Sequence, residues 1–293
     1  MAPATPTRLD VKKTYKLYIG GSFPRSESGR TYVVNDAKGA FLANAAQASR
    51  KDVRDAVGAA RAAFAGWSSR TAYNRGQILY RVAEMLEGRR DQLAAEVAAS
   101  EGLTARKAQI EVDAAVDRWV WYAGWTDKLV QVMGNANPVA GPYFNLSTPE
   151  PTGVVAVIAP QQSSLLGLVS VVAPALAGGN TVVAVASQDR PLPAITLAEV
   201  LGTSDVPGGV VNLLTGHTNE LAPVVAGHMD INAVDLTGVA AADSAAVEIA
   251  AAGSTKRILA RHSDDAHPWH DMPGTGRMRG AMELKTVWHP MGT

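Results

Sequence analysis

The chain has 293 residues, of which 27 are basic and 27 are acidic, and it has no cysteine. Because these charges cancel and are interspersed, they create no overall field that would attract nucleic acid or an anionic membrane, so neither is expected as a partner. The absence of cysteine excludes disulfides, thiolate zinc sites, iron–sulfur clusters and a cysteine nucleophile, and it favours a cytoplasmic location.

The first part of the chain predicts small β elements. Residues 1–14 contain no apolar segment typical of a signal peptide and are expected to form a flexible arm. The runs YKLYIGGSF and TYVVNDAKGAFLANAAQAS then have the pattern of hairpin strands. Glycine-containing turns are expected at Gly20–Gly21 and at Lys38–Gly39.

Helices are predicted for the next segment. Ser49 and Asp52 have the spacing of an N-terminal capping box, ahead of apolar residues that recur at helical intervals. Three more helices, each with an apolar stripe, are expected over Tyr73–Gly88, Asp91–Ser100 and Thr104–Lys128.

The last of these predicted helices contains the aromatic run RWVWYAGW. These rings are either a stacking platform for a base or cofactor, or part of the hydrophobic core. The core is favoured because Trp119, Tyr122 and Trp125 share one helix face and lack the basic surroundings of a nucleic-acid site.

No charged residue occurs between Glu150 and Asp189, so a membrane-spanning helix has to be considered. Such a helix needs roughly 20 continuous apolar residues. Pro160, the QQSS run and the Gly178–Asn180 turn divide this stretch into strand, helix and strand. We therefore expect a buried part of a soluble fold rather than a membrane span.

Five short runs rich in β-branched residues alternate with helix-length segments in the second half of the chain. This alternation predicts an α/β fold with a five-stranded parallel sheet, doubly wound, with helices on both faces. Ligands in such sheets bind at the carboxyl ends of the strands, which places Pro160–Ser164, Ser187 and the loop after Gly238 around one crevice. The five runs are residues 153–159, 181–187, 209–216, 231–238 and 256–262.

Seven successive blocks carry a family resemblance that covers Tyr15 to about His262. They include YIGGSF, DVRDAVGAARAAFAGWSS, WYAGWTDK, GPYFNLSTPEPTGVVAVIAP, APALAGGNTVV and VPGGVVNLLTG. Their order resembles that of the NAD(P)-dependent aldehyde dehydrogenases. The resemblance implies that residues 15–131 and 152–262 form a Rossmann-like, cofactor-binding-like domain.

The same resemblance implies a small oligomerisation sheet. Val132–Pro151 resembles the oligomerisation hairpin of the family, and ELKTVWH, Glu283–His289, resembles the strand that joins it. Residues 132–151 and 282–291 are therefore expected to be oligomerisation strands, and residues 263–281 a linker that stands where the family has a catalytic domain.

The cofactor and oxyanion positions of the family are replaced here. Where the family has PWNFP, this chain has Pro160, Gln161, Gln162, Ser163 and Ser164, so that the oxyanion asparagine corresponds to Gln162. The loss of an oxyanion donor can cost roughly 3–4 kcal/mol of transition-state stabilisation.

Further positions of the resembling motifs are also changed. The lysine and glutamate of KPSE, which hold the adenosine ribose in the family, correspond to Val185 and Gln188, on either side of Ser187. The FTGS turn appears as Leu236 to Val239, with Gly238 as its glycine. The general-base glutamate of the family corresponds to Arg261, which reverses the charge.

A cysteine-free chain of this kind resembles the C-terminal pseudo-domain of the family-16 aldehyde dehydrogenases. The resemblance implies a non-catalytic subunit that forms at least a homodimer and assembles with a full-length aldehyde dehydrogenase. No cofactor is expected, with weak binding of NAD or NADP as the remaining possibility. The alternatives are a sensor of NAD(P) or an adenine nucleotide, and an aldehyde oxidoreductase with rearranged chemistry.

Two features near the C-terminus have an ordinary and a functional interpretation. His262, His267 and His270 lie among carboxylates, but Pro268 argues against a helix that would align them, so no metal site is expected. The glycine-rich run MPGTGRMRG follows no predicted strand and opens no predicted helix. It is expected to be a flexible linker rather than a phosphate loop.

Overall fold

The computed structural model describes residues 12–261 and 268–292. A small N-terminal sheet has β3 at its centre, parallel to β1 and antiparallel to β2. Both predicted turns are confirmed, since Gly20, Gly21 and Gly39 adopt positive φ, which favours glycine. The strands are β1 (Thr14–Tyr15), β2 (Thr31–Asn35) and β3 (Phe41–Ala46).

Five helices follow. The predicted capping box is confirmed at the first, where the side chain of Ser49 accepts from the backbone of Asp52 and that of Asp52 accepts from Ser49 N at 2.7 Å. The helices are α1 (Arg50–Ser68), α2 (Ala72–Glu87), α3 (Arg90–Glu101), α4 (Ala105–Ala123) and α5 (Leu129–Met133).

The prediction that the fourth helix continues to Lys128 is wrong. The helix α4 ends at Ala123, and Gly124 caps it. The Oγ1 of Thr126 donates to the carbonyl of Ala123 at 3.0 Å, and a Cβ at Gly76 would lie only 2.6 Å from that Oγ1. The chain turns here because α4 and α2 come into close contact, which the apolar periodicity of α4 alone does not indicate.

The five predicted parallel strands form one sheet in the order β10-β9-β6-β7-β8. The central strands β6 and β7 are wholly buried, as near-continuous apolar strands with both faces covered should be. The strands are β6 (Val154–Ile158), β7 (Thr181–Val185), β8 (Val211–Leu214), β9 (Ala233–Asp235) and β10 (Arg257–Ala260).

Helices cover both faces of this sheet, as the doubly wound prediction requires. One core contains Trp119 and Tyr122 of α4, which confirms that the aromatic run belongs to the core; the other core lies beneath α1 and α8. Within the described residues, no helix combines the length and the apolar character needed to cross a membrane. The helices are α6 (Leu166–Ala177), α7 (Leu192–Leu201), α8 (Thr218–Gly227) and α9 (Ala241–Ala252).

A second three-stranded sheet joins the middle of the chain to its C-terminal part. It is antiparallel, in the order β11-β5-β4, and β11 pairs with β5 along its full length. The predicted hairpin and the predicted strand therefore share one sheet. Its strands are β4 (Asn135–Asn137), β5 (Tyr143–Pro151) and β11 (Met282–Pro290).

The expectation of a flexible glycine-rich linker at Met272–Gly280 is wrong for its second half. A short helix, α10 (Gly276–Gly280), packs against α6, and its Met278 is fully buried. Trp269 is also buried, and its carbonyl accepts a hydrogen bond from Arg118 Nη2 at 2.5 Å. These contacts join residues far apart in sequence, so the local glycine pattern could not reveal them.

Candidate functional site

The carboxyl ends of β6, β7 and β9 meet at the predicted crevice. A cavity of about 270 Å³ lies there, and its lining includes Gln161, Gln188, Gly238 and Val239. Pro160 and Ser187 are buried beside it, and Val185 is wholly buried in β7. The structure therefore brings most of the predicted cofactor-position residues together.

Two glutamines connect the loops of this crevice to each other. The side chain of Gln161 donates to the Ala159 carbonyl at 2.8 Å, and its Oε1 accepts from Gln188 N at 2.9 Å. The Oγ of Ser187 donates to the Gln161 carbonyl at 2.9 Å. The loop after β6 is therefore hydrogen-bonded to the loop after β7.

Gln188 extends this network to α8. Its Oε1 accepts from the backbone N–H of Thr218, the first residue of that helix, at 3.1 Å. Its carbonyl accepts from the hydroxyl of Tyr32 at 3.0 Å. A donor at a helix N-terminus that would suit an anionic ligand is thus occupied by a side chain of the protein itself.

The loop after β9 lies against the end of β6 and the residue that follows it. Gly238 N donates to the Ile158 carbonyl at 3.0 Å. A Cβ added at Gly238 would lie 1.8 Å from the Ala159 carbonyl oxygen, so only glycine fits this approach. Val239, the next residue, is buried. The backbones of the two loops are in direct contact where the strand order reverses, which is where such sheets normally open.

Two carboxylates occupy the N-terminus of α6. Ser163 Oγ donates to Glu111 Oε1 at 2.6 Å and accepts from Gly167 N at 2.8 Å. Ser164 donates to Glu101 Oε1 through its backbone N–H at 2.8 Å and through its hydroxyl at 2.5 Å. Negative charge near a helix N-terminus is stabilising, so these glutamates take the place that a phosphate could hold.

Burial raises the pKa of Glu101, and the hydrogen bonds from Ser164 act against that shift. Glu111 is more deeply buried, and its second oxygen lies 3.1 Å from Nε2 of His270. The sequence prediction missed both glutamates. They lie on or beside helices α3 and α4, more than fifty residues before the serines, and no local spacing links them to the loop.

The two predicted degenerate catalytic positions do not join this network. Gln162 is exposed; its carbonyl accepts from Arg190 at 2.6 Å, and it lines a different cavity with Glu101, Glu111 and His270. Arg261 follows the edge strand β10, and its largely exposed side chain lies 3.7 Å from Glu248 of α9. Neither side chain is placed to assist the other.

No metal centre is found in the part of the chain that the structure describes, where no three His, Asp or Glu side chains have a metal-binding arrangement. Of the three histidines considered from sequence, His262 and His267 lie outside the described residues. His270 is described, and its ring faces the carboxylate of Glu111.

Comparison with known proteins identifies relatives of this fold. A family model described as the aldehyde dehydrogenase family matches residues 23–263. The cytosolic aldehyde dehydrogenase 1 of Elephantulus edwardii is 32% identical over 261 residues, which are 87% of this chain and 51% of that protein. Retinal dehydrogenase 2 of Homo sapiens is 32% identical over 88% of this chain and 50% of its own length.

Solved structures agree with these sequence matches. HpcC from Thermus thermophilus superposes with a TM-score of 0.82 at 30% identity, over 86% of this chain and 48% of that one. The NAD+ complex of an aldehyde dehydrogenase from Bacillus cereus gives a TM-score of 0.80 at 29% identity, over 84% of this chain and 50% of that one. The chain thus spans about half the length of the relatives it matches.

Proposed function

The chain belongs to the aldehyde dehydrogenase family, and from that premise we propose that it is a non-catalytic member, a pseudoenzyme that self-associates and assembles with a full-length aldehyde dehydrogenase. The observation that carries this proposal is that the loops of the crevice are joined to one another. The side chains of Gln161 and Gln188 form hydrogen bonds with neighbouring loops, and Gly238 allows two loops to come into backbone contact.

The residues present in the crevice do not fit a dinucleotide. A pyrophosphate needs free backbone donors and a positive environment. Here Gln188 occupies the first donor of α8. Beside the crevice, in the neighbouring cavity, Glu101 and Glu111 place carboxylates at the start of α6. Val185 is a buried apolar residue without a polar group for a ribose diol. We infer that neither NAD nor NADP binds tightly, although one structural relative is an NAD+ complex.

The composition supports the absence of aldehyde oxidation. A covalent route to the acid needs an activated nucleophile, most effectively a thiolate, and the sequence has no cysteine. Only residues 261–281 lie between β10 and β11, where the resemblance places a whole catalytic domain. Arg261, at the general-base position of the resembling motif, carries a positive charge and cannot accept a proton at neutral pH.

The small sheet supports self-association. Leu284, Val287 and Trp288 of β11 are exposed, as are Phe144 and Leu146 of β5. In the described residues the outer edge of β11 pairs with no other strand. Unpaired edges with apolar side chains favour pairing with another chain. We infer that this sheet is the interface, both between copies and with a full-length aldehyde dehydrogenase.

The test has a catalytic and an assembly arm. The purified chain should reduce neither NAD nor NADP with benzaldehyde or retinal, while a full-length relative assayed in parallel should. Reduction in proportion to the amount of this chain would refute the non-catalytic proposal.

For assembly, the tagged chain should co-purify from its source with an aldehyde dehydrogenase subunit, identified by mass spectrometry. A variant with Val287→Lys and Trp288→Lys should no longer co-purify with that subunit. Equal recovery with both forms would place the interface elsewhere.

A further inference from the structure

A second cavity, of about 340 Å³, lies between α4, α6 and the segment that leads into α10. Arg118 and Tyr122 of α4 line one side of it, Ser170 of α6 another, and Trp269 and Arg277 the third. It shares no lining residue with the crevice at the carboxyl ends of the strands. Nothing in the proposed assembly role uses this cavity.

Arg118 is a buried cation without a carboxylate partner in the described residues. Its side chain is among the buried ones, with 7% of the residue exposed. Its Nη2 donates to the carbonyls of Trp269 and Asp271, at 2.5 and 3.0 Å. Within residues 12–261 and 268–292, Nε and Nη1 make no hydrogen bond. Because a buried guanidinium stays charged and is costly without an anion, the site is electrostatically incomplete.

Tyr122 adds a second free donor. It is 2% exposed, and its hydroxyl has no hydrogen-bond partner in the part of the chain that the structure describes. Burial raises the pKa of Tyr122 to about 12, so the hydroxyl stays protonated at neutral pH. The positive charges of Arg118 and Arg277 act to lower that pKa, and all three residues line the same cavity.

The positive charge of Arg277, unlike that of Arg118, is compensated by a carboxylate. Its guanidinium is hydrogen-bonded to the buried carboxylate of Asp235 and to Thr237 Oγ1, the latter at 3.1 Å. It also lies 5.6 Å from the centre of the Trp269 ring. Asp271 is exposed at the mouth of the cavity, where water screens it. The one uncompensated buried charge among the described residues of this cavity is therefore that of Arg118.

We propose that this cavity binds a small organic carboxylate, with its carboxylate group on Arg118 and the Tyr122 hydroxyl and its apolar body against Trp269. A guanidinium matches a carboxylate in shape and in hydrogen-bond geometry. One uncompensated positive charge suits a monoanion better than a phosphate dianion. The cavity volume is at the lower end of the range of small-molecule sites, roughly 300–1,000 Å³.

The test is calorimetry of the full chain with butyrate and benzoate, alongside inorganic phosphate and the neutral analogue benzyl alcohol. The carboxylates should bind at least tenfold more tightly than either comparison ligand. Benzoate should also change the tryptophan fluorescence, because Trp269 lines the cavity.

Tyr122→Phe is the deciding variant, because Arg118 also anchors the carbonyls of Trp269 and Asp271 and its replacement would disturb the fold. Loss of the hydroxyl should weaken benzoate binding about tenfold, as expected for a hydrogen bond to a charged group. The control, Tyr80→Phe on the exposed face of α2, should leave binding unchanged. Absence of carboxylate binding, equal binding of phosphate, or an unchanged affinity in Tyr122→Phe would each overturn the proposal.

Discussion

The crevice and the small sheet of this protein differ in whether their backbone hydrogen-bonding groups are already paired within the chain. At the crevice, glutamine side chains and a glycine contact join neighbouring loops to each other. At the small sheet, β11 has an unpaired outer edge in the described structure and exposes Leu284 and Trp288. In the crevice the loops are therefore hydrogen-bonded to one another, whereas the small sheet has a strand edge that is free to pair.

The largest expected effect is at the unpaired edge of the small sheet. Val287→Lys combined with Trp288→Lys puts two charges on β11, and like charges brought together at a paired edge should prevent association. We expect light scattering to change from at least a dimer to a monomer. The monomer should remain folded, because both residues are exposed.

Tyr73→Lys is the matched control, since Tyr73 is an exposed aromatic residue on α2, far from the sheet in sequence. It should keep the parent mass. A double lysine variant that also keeps the parent mass would show that the small sheet is not the interface.

The next largest effect is expected at the crevice. Gly238→Ala places a Cβ against the Ala159 carbonyl, and the two loops must separate. We expect a loss of about 3 kcal/mol in the free energy of unfolding, the upper part of the range for overpacking. Urea denaturation measures it.

Gly58→Ala is the control for that substitution, because Gly58 lies inside α1 and a Cβ there meets nothing within 4 Å. It should stabilise the protein by about 0.5–1 kcal/mol through helix propensity. Equal effects of the two variants would show that Gly238 does not hold the loops together.

A smaller effect is expected for the glutamine network. Gln188→Ala removes the acceptor for Thr218 N and should cost about 1 kcal/mol in the free energy of unfolding. Gln162→Ala, in the exposed part of the same crevice loop, should change it by less than about 0.5 kcal/mol. If the two substitutions cost the same, Gln188 has no special part in closing the crevice.

The smallest effect concerns pH. Because burial raises the pKa of Glu101 in the folded state, the folded protein holds this proton more tightly than the unfolded chain does. Stability should therefore fall as pH rises from the ordinary glutamate range through the raised pKa, and Glu101→Gln should lack that part of the decline. Urea unfolding across acidic pH measures it. Glu87→Gln, at an exposed position, should reproduce the wild-type profile.

The sequence predicted the parallel sheet well because its signal is local. Apolar runs such as GVVAVIA, separated by helix-length segments, are sufficient to define buried strands and their places along the chain. The capping box of α1 was likewise readable from Ser49 and Asp52 alone. The structure also places Gln161, Gln188 and Gly238 around one crevice, since strand ends follow from strand positions.

The hydrogen bonds around the crevice could not be predicted from the sequence in the same way. Glu101 and Glu111 meet Ser164 and Ser163 only after α3 and α4 pack beside α6, and no sequence interval marks such pairs. The burial of Trp269 depends on Arg118 in the same long-range manner. The resemblance implied which family positions are changed, but the contacts of the residues present follow from tertiary packing.

We propose that the crevice is closed against a dinucleotide, and calorimetry with NAD and NADP tests this proposal most directly. A full-length aldehyde dehydrogenase measured in parallel serves as the positive control. We expect no binding in the micromolar range for either cofactor with this chain, and the same result for Gln162→Ala, whose side chain lies outside the network. A micromolar dissociation constant for NAD or NADP would contradict it.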